Sequence, residues 1–408
     1  MTGAKTGNFH SFQHLTWLSN LFIILYLHPD KSIALAPVTK SKIIVSVTSD
    51  LVSDNRVHKY CTTLHNMGYE VLLIGRKFKN SHPVQNRPYP TKRFSLIFNK
   101  GPLFYAEFNY RLYLFLLFSK ADVLLANDLD TLTANFLASK VKKIPLVYDS
   151  HEYFTEVPEL VHRPKVKRIW EWLEQKMVPQ IRYTTTVCQS IAGVYNQKYG
   201  AQFKVVRNLP VSSGIPAKTE KENNTEKMVL YQGALNIGRG LEQAILSMKF
   251  VKNARLVLAG DGDIRQQLEE LVQKENLKNK VTFTGRLSIE ELKAFTPTAD
   301  LGLSIEEDLG LNYRFALPNK LFDYIQAQVP VLVTNLPEMA AILEQYKVGE
   351  ITDSLEPESL AGKISDCLEN AEKRKIWLQN LPKAASELTW ENEEGVIREI
   401  FERFLKSE

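Results

Sequence analysis

The chain has 408 residues, 44% hydrophobic and 24% charged, enough to bury more than one core and too long for a typical single domain. Its three cysteines, Cys61, Cys188 and Cys367, are odd in number and widely spaced; they support neither a disulfide framework nor a zinc cluster and point to a reducing, cytoplasmic setting. Net charge is +5, but residues 42–210 hold 24 basic against 13 acidic side chains, an asymmetry suited to an anionic partner; without a base-reading motif, nucleic acid is not the partner expected.

Residues 1–40 read as an N-terminal extension, possibly disordered. "LTWLSNLFIILYL" (15–27) is an apolar run of 13 residues, short of the roughly 20 that span a bilayer. It lacks the basic flank and the small-residue site of a secretory signal, and an interfacial anchor stays the alternative. From residue 41 to 210 the β-branched runs "KIIVSVTS" (42–49), "EVLLIG" (70–75), "DVLLAND" (122–128), "PLVYDS" (145–150) and "YTTTV" (183–187) alternate with helical periods, as in a parallel sheet with crossover helices. Residues 211–226 are polar and aperiodic and read as a linker. Within 227–388 the rhythm restarts with "MVLYQG" (228–233), "ARLVLAG" (254–260), "KVTFTG" (280–285), "DLGLSI" (300–305), "VPVLVTN" (329–335) and "VGEITD" (348–353). Residues 389–408 form an amphipathic helix that can fold back on the first domain. The expected fold is α/β: two doubly wound, Rossmann-like domains facing each other across a cleft.

In such sheets ligands bind beyond the carboxyl ends of the strands, which selects four loops. In "YQGALNIGRGLEQAI" (231–245), Gly233, Gly238 and Arg239 precede a helix, an arrangement suited to phosphate or to a tight turn with a solvated arginine. In "LAGDGDIRQQL" (258–268), Gly260 and Gly262 lack the third glycine of a dinucleotide fingerprint; a nucleotide-base contact and a plain turn both remain open. In "ALPNKLFDY" (316–324), Pro318 suits the first helical position, leaving the amides of Asn319 and Lys320 outward at the positive end of the helix dipole. Lys320 and Asp323 share one face there, as a phosphate and sugar-hydroxyl site or as a simple ion pair. In "VYDSHEYFTEVPEL" (147–160), Asp149, His151 and Glu152 gather at a strand end, where His151 is either a titrating group or a structural cap. Asp50, Asp128, Glu152 and Asn208 are candidates for the acceptor or cleft side.

The stretches "YDSHE", "VRNLP", "YQGALNIGRGLE", "LAGDGDIRQQLEEL", "VTFTGRLSIEEL", "ADLGLSI" and "LPNKLFDYIQAQVPVLVT" together resemble, in order and spacing, the retaining glycosyltransferases of the GT-B fold, family 4 (group 1). That resemblance implies a nucleotide-diphosphate sugar donor bound mainly by the C-terminal domain, with Arg239 on the pyrophosphate and Lys320 near the phosphates. A second arginine common in the family is Ala234 here. Of two family carboxylates eight positions apart, the ribose-binding one falls at Asp323, while the first position is the uncharged Phe315; Glu306, Glu307 and Asp308 precede that loop. His151 matches a histidine facing the transferred sugar, to orient it or stabilise an oxocarbenium-like state, and Asn208 an asparagine at the interdomain crossing.

The expected catalytic set is therefore His151, Arg239 and Lys320, with Gly233, Gly238, Gly260, Gly262, Pro318, Asn319 and Asp323 completing the donor site. The resemblance implies that side chains neutralise the diphosphate, so neither metal nor cofactor is expected. The acceptor is expected to be a glycan or a lipid-linked molecule. The segments 101–120 and 163–177, the latter with Trp170, Trp172, Lys165, Lys167 and Arg168, are candidates for peripheral contact with an anionic membrane, although the 101–120 period also fits a buried helix. A nucleotide-sugar epimerase of the same architecture and a non-catalytic nucleotide-sugar-binding protein are the other two readings.

Overall fold

Strands covered on both faces must be apolar along their whole length, and the short β-branched runs meet that demand. The computed structural model describes residues 40–52, 54–84, 86–161, 163–212 and 226–406; the N-terminal extension to residue 39 and nearly all of the linker lie outside the described residues. In the first domain β1 Lys42–Ser46, β2 Glu70–Lys77, β3 Thr91–Ser95, β4 Val123–Asn127, β5 Leu146–Ser150, β6 Tyr183–Thr186 and β7 Phe203–Val205 form a parallel sheet, ordered β3-β2-β1-β4-β5-β6-β7. In the second, β8 Lys227–Gln232, β9 Ala254–Ala259, β10 Val281–Gly285, β11 Leu301–Ser304, β12 Val331–Thr334 and β13 Gly349–Thr352 are parallel in the order β10-β9-β8-β11-β12-β13. Both orders reverse beside their first strand, so each domain opens a crevice at its carboxyl edge. Both sheets belong to one compact unit, Ser41–Leu405. Edge strand β3 and the three-residue β7 were not among the expected runs, because "TKRFS" and "FKV" are too polar or too short to stand out.

The second-domain helix Asn319–Gln326 packs on its sheet through Leu321, Phe322 and Ile325 and is pinned to it by Tyr324. The Tyr324 hydroxyl donates to Leu230 O at 3.0 Å and accepts the Gln232 N–H at 3.0 Å. Its ring lies over Gly302, where an added Cβ would come within 2.5 Å of ring carbons. The first-domain helix Gly101–Phe118 is apolar on every side: Phe104, Phe108, Leu112 and Leu116 are buried, whereas Leu103, Tyr110 and Phe118 face solvent, Phe118 at 87%. The segment is therefore a packing helix with one face in the first-domain core and the other in solvent. Of the two tryptophans in the helix Pro164–Met177, Trp172 is exposed; Trp170 is buried between Tyr105 and Phe154, with ring centroids 5.0 and 5.1 Å away, and is not a surface residue.

The last helix, Trp390–Phe401, packs on the first domain although it follows the second in sequence. Trp390, Ile397, Ile400 and Phe401 join the buried cluster of Ile43, Val45, Tyr60 and Tyr69. The Trp390 indole donates to Thr63 Oγ1 at 3.0 Å, and Tyr69 donates to Phe401 O at 2.7 Å. Trp390→Ala removes this anchor and is expected to cost about 3–5 kcal/mol, read as a lower urea midpoint; an unchanged midpoint would mean that the helix adds little to the first domain.

Candidate functional site

The glycine turn after β8 brings Arg239 to the end of β11. Gly233, Gly238 and Gly240 hold φ of +135°, +81° and +67°, which side chains other than glycine rarely adopt. An added Cβ at Gly240 would overlap the Ile305 carbonyl oxygen, so the turn lies directly on β11. Arg239 Nη1 then sits 3.5 Å from Glu306 Oε1. Glu306 is fully buried and takes the Lys320 ammonium at 2.5 Å; Ser304 donates to its other oxygen at 2.9 Å. Burial opposes the charge of Glu306, yet Lys320 and then Arg239 outweigh it and hold the carboxyl below its usual range. Lys320 Nζ also lies 4.4 Å over the Tyr231 ring.

This arrangement corrects one sequence expectation. Lys320 does not pair with Asp323; it turns inward to Glu306, and Asp323 instead accepts from Gln232 Nε2 at 3.1 Å. Burial pushes the Asp323 carboxyl up to about 6, against weaker opposition from Gln232 and Lys59. Pro318 is the cap before the helix, not its first residue, and its carbonyl accepts the Leu321 N–H at 3.1 Å. Gly260 and Gly262 serve loop packing: an added Cβ at Gly260 would overlap Gly233 O, and one at Gly262 would lie 2.5 Å from Leu235 O.

Across the cleft, the first domain contributes a balanced charge network. Arg56 forks onto Asp149 at 3.0 and 2.8 Å, and Thr185 donates to the same carboxylate at 2.7 Å. His151 reaches Asp149 through Nε2 at 3.0 Å and Asp128 through Nδ1 at 3.2 Å, while its backbone N–H donates to Asp128 at 2.7 Å. Burial disfavours the imidazolium, but Asp128 and Asp149 prevail and raise the His151 pKa to about 9. His151 is therefore a cation at neutral pH with both ring N–H groups engaged. It has no lone pair for nucleophilic attack, and its charge does not suit it to stabilise positive character on a sugar, which corrects the oxocarbenium role expected of it.

The two sets meet in a cleft of about 650 Å³, lined among others by His151, Glu152, Asn208, Gly233, Arg239, Pro318, Asn319, Lys320 and Asp323. Asn208 Nδ2 donates to Asn319 Oδ1 at 2.9 Å, and Asn312 Oδ1 accepts the Tyr153 N–H at 3.0 Å, so side chains bridge the domains at both places. Asp128 acts behind His151, and Asp50 accepts from Val52 N and Ser81 Oγ; neither belongs to the lining. Glu306, Gln232 and Asn312 are the residues that sequence reasoning did not place in the site. Glu306 had a weak signal as an acid at the end of an apolar strand, whereas Gln232 and Asn312 had none.

Comparison with known proteins bears on the family and the fold. Residues 216–384 match the family described as glycosyl transferases group 1, and residues 54–209 match glycosyltransferase family 4. An uncharacterized glycosyltransferase of Methanocaldococcus jannaschii is 28% identical over 173 residues, 41% of this chain and 42% of that protein, so the match spans less than half of that relative. In fold, the chain is similar to a sucrose-phosphate synthase of Thermosynechococcus elongatus, with TM-score 0.74, 15% identity and coverage of 89% and 98% of the two chains. It is similar also to HepE of Anabaena, solved with UDP-glucose, with TM-score 0.67, 16% identity and coverage of 90% and 100%.

The His151 network makes stability pH-dependent. Because the folded-state pKa of about 9 lies above the unfolded value of about 6.5, its contribution is complete below pH ~6.5 and is lost as pH rises towards 9. Melting temperature measured across this window should fall for the parent chain and be flatter for His151→Asn; parallel curves would remove the imidazolium assignment.

Proposed function

The chain belongs to the group 1 family of glycosyltransferases, and we propose that it moves a sugar from a nucleotide-diphosphate sugar to a glycan or lipid-linked acceptor, with retention of anomeric configuration and without a metal ion. The observation that carries this reading is the pair of cations, Lys320 and Arg239, held on buried Glu306 at the cleft wall. Two positive charges against one carboxylate leave a local excess of one, suited to an arriving diphosphate. When the bond from the anomeric carbon to the phosphate oxygen breaks, negative charge grows on the departing phosphate, and Lys320 and Arg239 stabilise it. The acceptor hydroxyl attacks from the same side, forming the new bond to the anomeric carbon, and its proton passes to the departing phosphate oxygen. Asp323, ionised above about pH 6, accepts from a ribose hydroxyl. His151 holds the first-domain edge in register against the sugar through its two carboxylates.

Arg239→Ala and Lys320→Ala are each expected to lower turnover by roughly 10²–10³, measured with a labelled nucleotide sugar and acceptor extract. Turnover of the parent is expected to persist in EDTA. Full turnover in the double variant would reject this site, and free epimerised sugar with no labelled acceptor would favour the epimerase reading.

For the acceptor side we propose peripheral contact with an anionic membrane. Among the described residues no helix is long and apolar enough to cross a bilayer. The exposed Leu103, Tyr110 and Phe118 of one helix and Ile169 and Trp172 of another, which meet at Tyr105 and Trp170, combine apolar side chains with exposed Lys165 and Arg168. Co-sedimentation with phosphatidylglycerol vesicles but not with phosphatidylcholine vesicles, weakened by Phe118→Glu, is the expected result. Equal recovery in both pellets would remove the electrostatic part of the proposal.

A further inference from the structure

The cleft lining mixes charged and polar side chains with apolar ones. Arg239 and Lys320 mark the diphosphate, and Asp323 with Gln232 marks the nucleoside side. A sugar bonded to the outer phosphate is left with the end where the cleft reaches the first domain. The lining on that side holds the apolar Phe315, Val187 and Ile191 beside the polar His151, Glu152 and Asn312.

These three side chains share one apolar cluster although they come from both domains. Ile191 belongs to the first domain's buried cluster, and Val187 and Phe315 pack against that same cluster. Phe315 is held by its backbone on two sides: its N–H donates to Leu311 O at 3.1 Å, and its carbonyl accepts from Cys188 Sγ at 3.4 Å. The wall is therefore fixed in place before any ligand arrives.

Polar groups beside the wall are already engaged. Both ring nitrogens of His151 are held by Asp128, Asp149 and Asn127. The Asn312 side chain spans the Tyr153 N–H and Glu152, at 3.0 and 3.4 Å. A sugar hydroxyl turned to the wall would lose its water without gaining a partner, whereas a methyl group would lose nothing by the same burial.

Resting on the donor reading above, we infer that the transferred sugar carries a methyl-terminated substituent, as an acetamido or a 6-deoxy sugar does, seated against Phe315, Val187 and Ile191. Shape and dryness select the substituent, and the cations select the diphosphate. The two selections act on different parts of the donor.

The test compares donors matched in nucleotide, by calorimetry and by turnover of the full chain. UDP-N-acetylglucosamine is set against UDP-glucose, UDP-N-acetylgalactosamine against UDP-galactose, and GDP-rhamnose against GDP-mannose. In at least one pair the methyl-bearing donor should bind or turn over about tenfold better or more, and the pair that shows it identifies which substituent is used. Phe315→Asn should erase that ratio, and Phe315→Leu should keep it. Ratios near one or below in every pair overturn the inference while leaving the donor reading intact. Binding of none of these nucleotide sugars overturns the donor reading, and the inference with it.

Discussion

The site depends on one buried ion pair. Lys320 and Glu306 meet at 2.5 Å with almost no exposure, where removing two charges from water is costly unless each is well matched. The match here is complete on the carboxylate side, which also takes Ser304 and lies 3.5 Å from Arg239. Three separate pieces of chain thereby share one charge centre: the end of β11, the first turn of the helix Asn319–Gln326 and the glycine turn after β8. Removing the carboxylate would leave Lys320 with an uncompensated charge and Arg239 without its tether. The same Glu306 also lowers the local positive charge, so the cations are held firmly without being a sink for every anion in solution.

The first domain presents the complementary case. Arg56, Asp149, His151 and Asp128 alternate in sign and leave no excess, so this face orients without attracting phosphate. On the proposed reading, a donor diphosphate would be gripped by one wall and met by the other. On the same reading, that asymmetry would leave the first-domain side open to an acceptor that does not compete for the diphosphate.

Much of the fold was legible because buried parallel strands announce themselves as apolar runs, and every such run in "KIIVSVTS" to "VGEITD" lies on a strand. Strands β3 and β7 escaped because an edge or a three-residue strand has no need of that pattern. The positions of Arg239 and Lys320 could be read from glycine and proline, whose backbone limits leave few alternatives. Their partner could not. A helix spacing of three places Lys320 and Asp323 on one face, but it does not say that β11 ends beneath Lys320 with a carboxylate already waiting. Tertiary proximity of Glu306, Gln232 and Asn312 leaves no mark on local spacing. Likewise the even apolarity of 101–118 conceals which side is buried, since a helix apolar all round has no preferred face in sequence.

The path of the main chain adds a mechanical point. The chain passes from the first domain to the second near Pro210 and returns at Trp390, and the two passages are joined by Trp390 N–H on Pro210 O at 2.8 Å and by Arg207 on Glu393 at 2.6 Å. One tether would leave the two halves free to twist as well as to open. Two tethers bonded side by side behave like the paired pins of a door, which resist torsion and leave a single swing. The final twelve-residue helix thus stands as the second pin, and any parting of the cleft walls would be guided by both passages.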